Sequence, residues 1–343
     1  MQNQQPSVAV VLLNYNGQRL LEQFLPSVLG STYPNLSVYV ADNASTDSSR
    51  DWLAATFPDV KCIVLPQNFG FAEGYNQALA QVEVDYYVLL NSDVEVTPGW
   101  IEPVVALMAS DVTIGICQPK LLSYTEKDRF EYAGAAGGWL DVLGYPFARG
   151  RVFDTVEKDE GQYDENEPVF WASGAALFVK REVWETVGGF DGYLFAHCEE
   201  IDLCWRAQLA GYQVFFCKDS TIYHVGGGTL HKSNPRKTYL NFRNSLIVMA
   251  KNLPAGQAFT KIVVRLILDG VFGVKLLLEG EFAAMWAVVR AHFGFYRWLL
   301  SGKRKPMFSK KKLEILQGTV NQSIVWLYFV KSKKTFSEIV HKK

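Results

Sequence analysis

Four short apolar runs rich in β-branched residues open the chain, at residues 8–13, 36–41, 61–65 and 86–90. Each gives way to polar or glycine-containing residues, and helix-like stretches follow the first three, at 19–29, 48–57 and 74–81. A strand that is apolar throughout has no face to offer water. Alternation with helices therefore predicts an α/β fold, with a mostly parallel sheet covered on both sides. Ligands of such sheets bind beyond the carboxyl ends of the strands. The residues expected there are Asn14-Tyr15-Asn16, Asp42-Asn43, Gln67-Asn68-Phe69-Gly70 and Asn91-Ser92-Asp93, all rich in Asn or Asp.

A chain of 343 residues with 49% hydrophobic residues has room for about two domains. Disordered, collagen-like and disulfide-scaffold classes are excluded by that composition. The cysteines, Cys62, Cys117, Cys198, Cys204 and Cys217, are odd in number and form no Cys-x-x-Cys pair. They are expected to be reduced thiols of a cytoplasmic protein. A zinc site from Cys198, Cys204 and Cys217 is the weaker alternative, because zinc ligands usually pair at shorter spacing. No basic segment precedes the apolar run at Val8, so no secretory signal is expected.

Residues 125–168 lose periodicity and accumulate glycines and acids, which predicts a loop-rich insertion over the sheet. A strand is expected over 169–180, helices over 181–187 and 199–210, and a strand over 212–216. Beyond about residue 244 long apolar helices alternate with basic clusters. We therefore expect a domain over 1–245, divided at 124 and 168 into a first half, the insertion and a second half, followed by a helical tail over 246–343.

Charge divides along similar lines. Residues 1–230 carry 13 Lys+Arg against 30 Asp+Glu, and residues 231–343 carry 21 against 5, so the two parts are −17 and +16. In the stretch 261–279, Lys261, Arg265, Asp269, Lys275 and Glu279 fall within about 120° of helical arc. Charges at that density interrupt any apolar run of about 18 residues, so an amphipathic helix is expected and not a membrane span. Residues 282–300 are rich in aromatics, and basic clusters follow at 303–305, 310–312 and 331–334. Aromatic rings beside lysines suit an anionic lipid headgroup layer, which predicts a peripheral protein of the inner membrane face. Packing of these helices on the body or on a second copy is the alternative. Nucleic acid is not an expected partner, since the acidic body would repel phosphate.

Three segments carry chemistry. Asp93 follows an apolar strand and could hold a divalent cation, or could simply cap the strand in a turn. Glu199, Glu200 and Asp202 crowd three carboxylates into four residues; mutual repulsion raises a pKa toward that of a general base, while a helix N-terminus would also favour acids there. His224 precedes Gly226-Gly227-Gly228 and is either a metal ligand or an ordinary buried histidine. Trp171 and Trp205 could stack on a sugar or acceptor, or belong to the core. Arg206 could support a diphosphate, or pair with Asp202 one turn away.

Taken in order, residues 10–17, 41–47, 68–72, 90–93, Ser173-Gly174-Ala175 and Glu199-Glu200-Ile201-Asp202 resemble family 2 glycosyltransferases, and most closely the bacterial rhamnosyltransferase-like group, over about residues 7–245. The resemblance implies a GT-A fold, Rossmann-like, and inverting transfer from a UDP- or dTDP-sugar donor to a glycan or lipid-linked acceptor in cell-surface polysaccharide synthesis. It assigns Asp42 to the pyrimidine base, with Asn14, Asn16, Asn68, Asn91 and Gly174 around the donor. It assigns Asp93 and His224 to Mg²⁺ or Mn²⁺, and the base to Glu200, with Glu199 and Asp202 as alternatives. Asn91 stands where the family usually has the first Asp of Asp-x-Asp. A dinucleotide-dependent oxidoreductase is disfavoured, because no Gly-x-Gly-x-x-Gly follows the first strand. A sugar-nucleotide-binding or membrane scaffold of the same fold is the non-enzyme alternative.

Overall fold

A computed structural model describes residues 5–226, 234–302 and 308–340. The basic cluster at 303–305 and the glycines at 227 and 228 lie outside the described residues. The first half alternates as the apolar runs require: β1 (Val8–Asn14), α1 (Gln18–Leu29), β2 (Leu36–Asp42), α2 (Ser49–Thr56), β3 (Lys61–Val64), α3 (Gly70–Leu79) and β4 (Tyr86–Leu90). A short β5 (Val94–Val96), α4 (Glu102–Ser110) and a long β6 (Ile114–Ser123) follow. Within 125–168 lie β7 (Gly138–Leu140), β8 (Pro146–Ala148), β9 (Arg151–Val152) and β10 (Thr155–Val156), which form a small antiparallel sheet, and then β11 (Glu167–Pro168). The chain continues through β12 (Ala176–Lys180), α5 (Arg181–Val187), α6 (Glu199–Ala210) and β13 (Gln213–His224). The tail comprises α7 (Pro235–Asn252), α8 (Ala255–Leu278), α9 (Phe282–Leu300), α10 (Ile324–Phe329) and α11 (Phe336–Ile339).

The main sheet has the order β11-β13-β6-β12-β4-β1-β2-β3, with β5 paired to β13. Strands β4, β1, β2 and β3 run parallel, as do β6 and β13, whereas β12 runs antiparallel to both β4 and β6. Val8, Ala9, Val10, Val11 and Leu12 are all buried, since β1 has a helical layer on each side. Each of the larger side chains contributes about 1.5–3 kcal/mol relative to exposure.

Tertiary contacts moved three expected boundaries. The helix expected at 74–81 starts at Gly70, because the carbonyl of Phe195, distant in sequence, accepts from the backbone N–H of Phe71 and Ala72 and caps the earlier turn. Of the strand expected over 169–180, only Ala176–Lys180 joins the ladder, while Trp171 bridges to Gly138 in the small sheet. The last strand runs to His224, not 216, because an irregularity between Cys217 and Thr221 lets it resume pairing with β6.

Residue 245 lies inside α7, and the helical tail shares one core with the sheet: Leu246, Ile247, Ile262, Phe295, Trp298, Leu313 and Phe336 pack in a cluster that also holds Ala9, Val11 and Leu89. Helix α8 is amphipathic but faces the unexpected way. Lys261, Arg265 and Asp269 are buried against the body. Lys261 pairs with Glu314 at 2.9 Å, the Arg265 guanidinium lies 3.7 Å from the centre of the Tyr145 ring, and His292 Nε2 meets Asp269 at 3.2 Å. Phe259, Ile267, Val271 and Leu278 point outward, with Phe282, Trp286 and Phe293 of α9 exposed beside the same hairpin. No helix among the described residues is long and apolar enough to cross a membrane.

Candidate active site

The carboxyl ends of β1 and β2 are joined by a buried polar layer. Asn14 Nδ2 donates to Asp42 Oδ1 and to Ser45 Oγ, both at 3.2 Å, and the Ser45 N–H donates to Asp42 Oδ2 at 3.0 Å. Asn14 and Asp42 are each 1% exposed. Asn14 Oδ1 is buried with no hydrogen-bond partner, an acceptor held ready at the strand end. Asn16, with φ 52°, accepts through Oδ1 from Thr46 N–H at 2.7 Å and so shapes the outer loop.

Asn43 links this layer to the turn after β3. It donates through Nδ2 to Asn68 Oδ1 at 3.2 Å and to Gly70 O at 2.9 Å, and accepts from the Phe69 N–H. The structure thus brings Asn14, Asp42, Asn68 and Asn16 to one edge. Gly174 stands near the Phe71 ring, and its neighbour Ala175 accepts from the Asn91 N–H beyond β4.

A second cluster forms where β4 ends. The pairing of β5 with β13 sets His224 opposite Val94, which puts the imidazole beside Asp93. His224 Nε2 lies 3.1 Å from Asp93 Oδ1 and 3.5 Å from Asn91 Nδ2, while its Nδ1 lies 3.2 Å from Glu131 Oε2. Burial works against a charged imidazole here, but the hydrogen bonds to Asp93 and Glu131 outweigh it and push the pKa up to about 10. Glu131 was not visible in sequence. It lies in the glycine-rich stretch after β6, and only the bridge between Leu122 and Phe130 folds it back toward the sheet edge.

The acidic helix turn divides its labour. Asp202 is fully buried and accepts from Arg206 Nε at 2.9 Å, Lys251 Nζ at 2.9 Å and Asn252 Nδ2 at 2.8 Å. Burial alone would raise its pKa, yet Arg206 and Lys251 hold it down at about 2. Such a carboxylate ties α6 to α7 and, with three donors on it, is a weaker proton acceptor than Glu200. Arg206 is spent on the same network, donating also to Gly189 O at 2.8 Å and to Val187 O.

Glu199 and Glu200 are different. Each has a buried Oε2 with no hydrogen-bond partner. Burial, and for Glu199 the neighbouring Glu200 charge, raises both pKa values: that of Glu199 well above the usual carboxylate range and that of Glu200 to about 7. The loop that leads into them is tied to the start of α3, where Phe195 O accepts from the Phe71 and Ala72 N–H groups.

The two tryptophans lie in the core. Trp205 is 1% exposed and packs edge-on against Phe170 at 5.2 Å; Trp171 donates through Nε1 to Trp139 O at 3.2 Å. Neither offers a ring face to a ligand, because both are buried in the core cluster. A groove lined by Ser7, Asp85, Lys180 and Arg181 lies at the opposite, amino-terminal edge of β1 and β4 and shares no residue with this site.

Residues 9–184, about half of the chain, match Glycosyl transferase family 2. The chain belongs to this family. Among its relatives is the N-acetylglucosaminyl-diphospho-decaprenol L-rhamnosyltransferase of Mycobacterium tuberculosis, 28% identical over 233 residues, which are 63% of this chain and 75% of that protein. Solved structures of the same fold include GalNAc-T7 with UDP, GalNAc and Mn²⁺, at TM-score 0.56 and 16% identity over 74% of this chain and 49% of that one. Another is Staphylococcus aureus TarS 1-349 in complex with UDP-GlcNAc, at TM-score 0.55 and 14% identity over 83% of this chain and 81% of that one. The protein is a GT-A glycosyltransferase, similar to the bacterial rhamnosyltransferase-like group. Glu199, Glu200 and His224 lie beyond the matched span, so their roles in this family 2 enzyme rest on geometry.

The donor set fits a divalent cation shared with a phosphorylated ligand. Asp93 supplies a hard oxygen and His224 an imidazole nitrogen; to bind a cation the charged ring would give up its Nε2 proton, and Glu131, 3.2 Å from Nδ1, would then favour the tautomer that ligates through Nε2. It is not a closed protein cage. The imidazole lies between the two carboxylates, and among the described residues no group of three or more His, Cys, Asp or Glu side chains surrounds one point.

Proposed function

We propose that this glycosyltransferase transfers a sugar, with inversion, from a UDP- or dTDP-sugar to a hydroxyl of a glycan or lipid-linked acceptor in cell-surface polysaccharide synthesis. The observation that carries the reading is the joint presence of two carboxylates with raised pKa values at the start of α6 and of an Asp93–His224 pair beyond β4. Inversion by one displacement needs one base on the acceptor side and neutralisation of the departing diphosphate on the other. Glu200, poised near neutrality, takes the acceptor proton. Asn14, Asp42 and Asn68 line the nucleotide end, Asn16 orders the loop around it, and Asn91 and Gly174 border the sugar. Asp93 and His224 would hold Mg²⁺ or Mn²⁺, which supplies charge neutralisation of the leaving diphosphate. The M. tuberculosis rhamnosyltransferase and the UDP-containing neighbours support the donor class.

The reversed amphipathicity of α8 supports action at the inner face of the cell membrane. A helix that buries Lys261, Arg265 and Asp269 and exposes Phe259, Ile267, Val271 and Leu278 presents apolar side chains to something other than water. The exposed cations Lys275, Arg290 and Arg297 near that face suit anionic headgroups.

Incubation with UDP- and dTDP-sugars and lipid-linked acceptors tests the reading. The expected result is nucleotide release coupled to a product of inverted anomeric configuration; a product of retained configuration would contradict it.

A further inference from the structure

The backbone that launches the two carboxylates is held in a conformation that L residues rarely adopt. Phe195, His197 and Cys198 have φ of 67°, 69° and 70°, and Cys198 immediately precedes α6. Such a run persists only where its surroundings dictate it. Here every carbonyl from Tyr193 to Cys198 is engaged. Phe195 O accepts from the N–H groups of Phe71 and Ala72 at the start of α3, and Cys198 O accepts from the Asp202 N–H. The other four are served by two adjacent residues of α7. Arg243 Nη2 donates to Tyr193 O and Leu194 O at 3.1 Å each. Asn244 Nδ2 lies 2.9 Å from Leu194 O, 2.9 Å from Ala196 O and 2.7 Å from His197 O. Asn244 is fully buried, and its Oδ1 accepts from Arg243 Nε at 2.9 Å, which fixes the amide with its nitrogen toward the loop.

We propose that Asn244 is the positioning residue of the catalytic carboxylates, clamping Leu194, Ala196 and His197 so that the left-handed turn holds Glu199 and Glu200 in place at the start of α6. The proposal rests on the assignment of the base to Glu200 or its neighbour Glu199. Three carbonyls that converge on one nitrogen repel each other once it is gone, and Leu194 O is left buried without that donor. The peptides at 196–198 then rotate toward ordinary φ values, and the first turn of α6 moves with them. The nucleotide layer of Asn14, Asp42 and Asn43 makes none of these bonds and keeps its shape.

A double-mutant cycle on the full chain tests this, with kcat for transfer, Kd for UDP and thermal unfolding read for the wild type, Asn244→Ala, Glu200→Gln and the double variant. Asn244→Ala is expected to lower kcat by about 100-fold, as a small misplacement of a reacting group does, with UDP affinity changed by less than about threefold. In the Glu200→Gln background the same substitution is expected to cost less than about threefold, because the group it positions is gone. Equal losses in both backgrounds, or a loss of UDP affinity in step with kcat, would overturn the proposal. If Glu200→Gln keeps full activity, the cycle is repeated with Glu199→Gln; if neither substitution lowers kcat, the base assignment fails and the proposal falls with it. Should Asn244→Ala not fold, Asn244→Ser, which keeps one donor, enters the same cycle under the same criterion of non-additivity.

Discussion

His224 Nε2 lies 3.1 Å from Asp93 Oδ1, although 131 residues separate the two in sequence. The ladder between β5 and β13 makes the contact, and Glu131 steadies the ring from its other side. Asp93→Ala or His224→Ala is therefore expected to abolish the metal-dependent part of UDP binding measured by calorimetry. Glu131→Gln, which leaves both ligands in place, is expected to weaken it by about 10–100-fold. Unchanged metal dependence in Asp93→Ala would show that the cation sits elsewhere.

Glu200 gives a prediction with opposite signs for activity and stability. As the base it must be ionised, so kcat/KM should fall on the acid side of about pH 7, and Glu200→Gln should lower transfer by about 10²–10⁴-fold. Its folded pKa is raised above the ordinary value of 4.5, so its contribution to stability is full below that value and is lost as pH rises through about 7. Glu200→Gln should accordingly raise the unfolding temperature at pH 8, by the equivalent of about 1–3 kcal/mol, and leave it unchanged at pH 4. A variant destabilised at pH 8 would contradict the buried, unpaired carboxylate.

Asp202 should behave in the reverse manner. Its folded pKa is depressed to about 2, so the stability it confers is present above the ordinary value of 3.8 and is lost as pH falls through about 2. Asp202→Asn leaves Arg206 and Lys251 facing a neutral amide and should cost about 3–5 kcal/mol in denaturant unfolding. The acid limb of the pH–rate profile should stay near pH 7 in the protein that folds. A shift of that limb would place Asp202 among the reacting groups.

The outward face of α8 is tested by co-sedimentation with vesicles containing anionic lipid. Ile267→Glu together with Leu278→Glu puts two charges among exposed apolar side chains and should release the protein from vesicles without lowering the unfolding temperature. Retained vesicle binding would exclude this face as the membrane contact. A change from dimer to monomer in solution would instead assign the face to a second copy of the chain.

What could be read from the sequence followed from local causes. Runs apolar on both faces allow only a covered, mostly parallel sheet, and the Asn and Asp residues that end them lie at its carboxyl edge. The pairing of Asp202 with Arg206 was legible as a four-residue spacing, but Lys251 and Asn252, which decide its protonation, come from another helix. Glu131 was hidden because its role depends on the chain folding back after β6. Trp171 and Trp205 were ambiguous for a related reason, since neighbourhood in sequence to site residues does not tell which side of the sheet a ring covers. In α8 the charged arc was legible and its direction was not: periodicity shows which residues share a face, and the partners Glu314, Tyr145 and His292 show that Lys261, Arg265 and Asp269 turn inward, while Lys275 and Glu279 pair in the open.

The most direct test of the central claim is calorimetric titration of the full chain with UDP and with dTDP, each in Mn²⁺, in Mg²⁺ and in EDTA. Saturable binding of at least one nucleotide, lost in EDTA and in Asp93→Ala, is the predicted result. Absence of binding to either nucleotide in every condition would contradict a nucleotide-sugar site built on Asn14, Asp42 and Asp93.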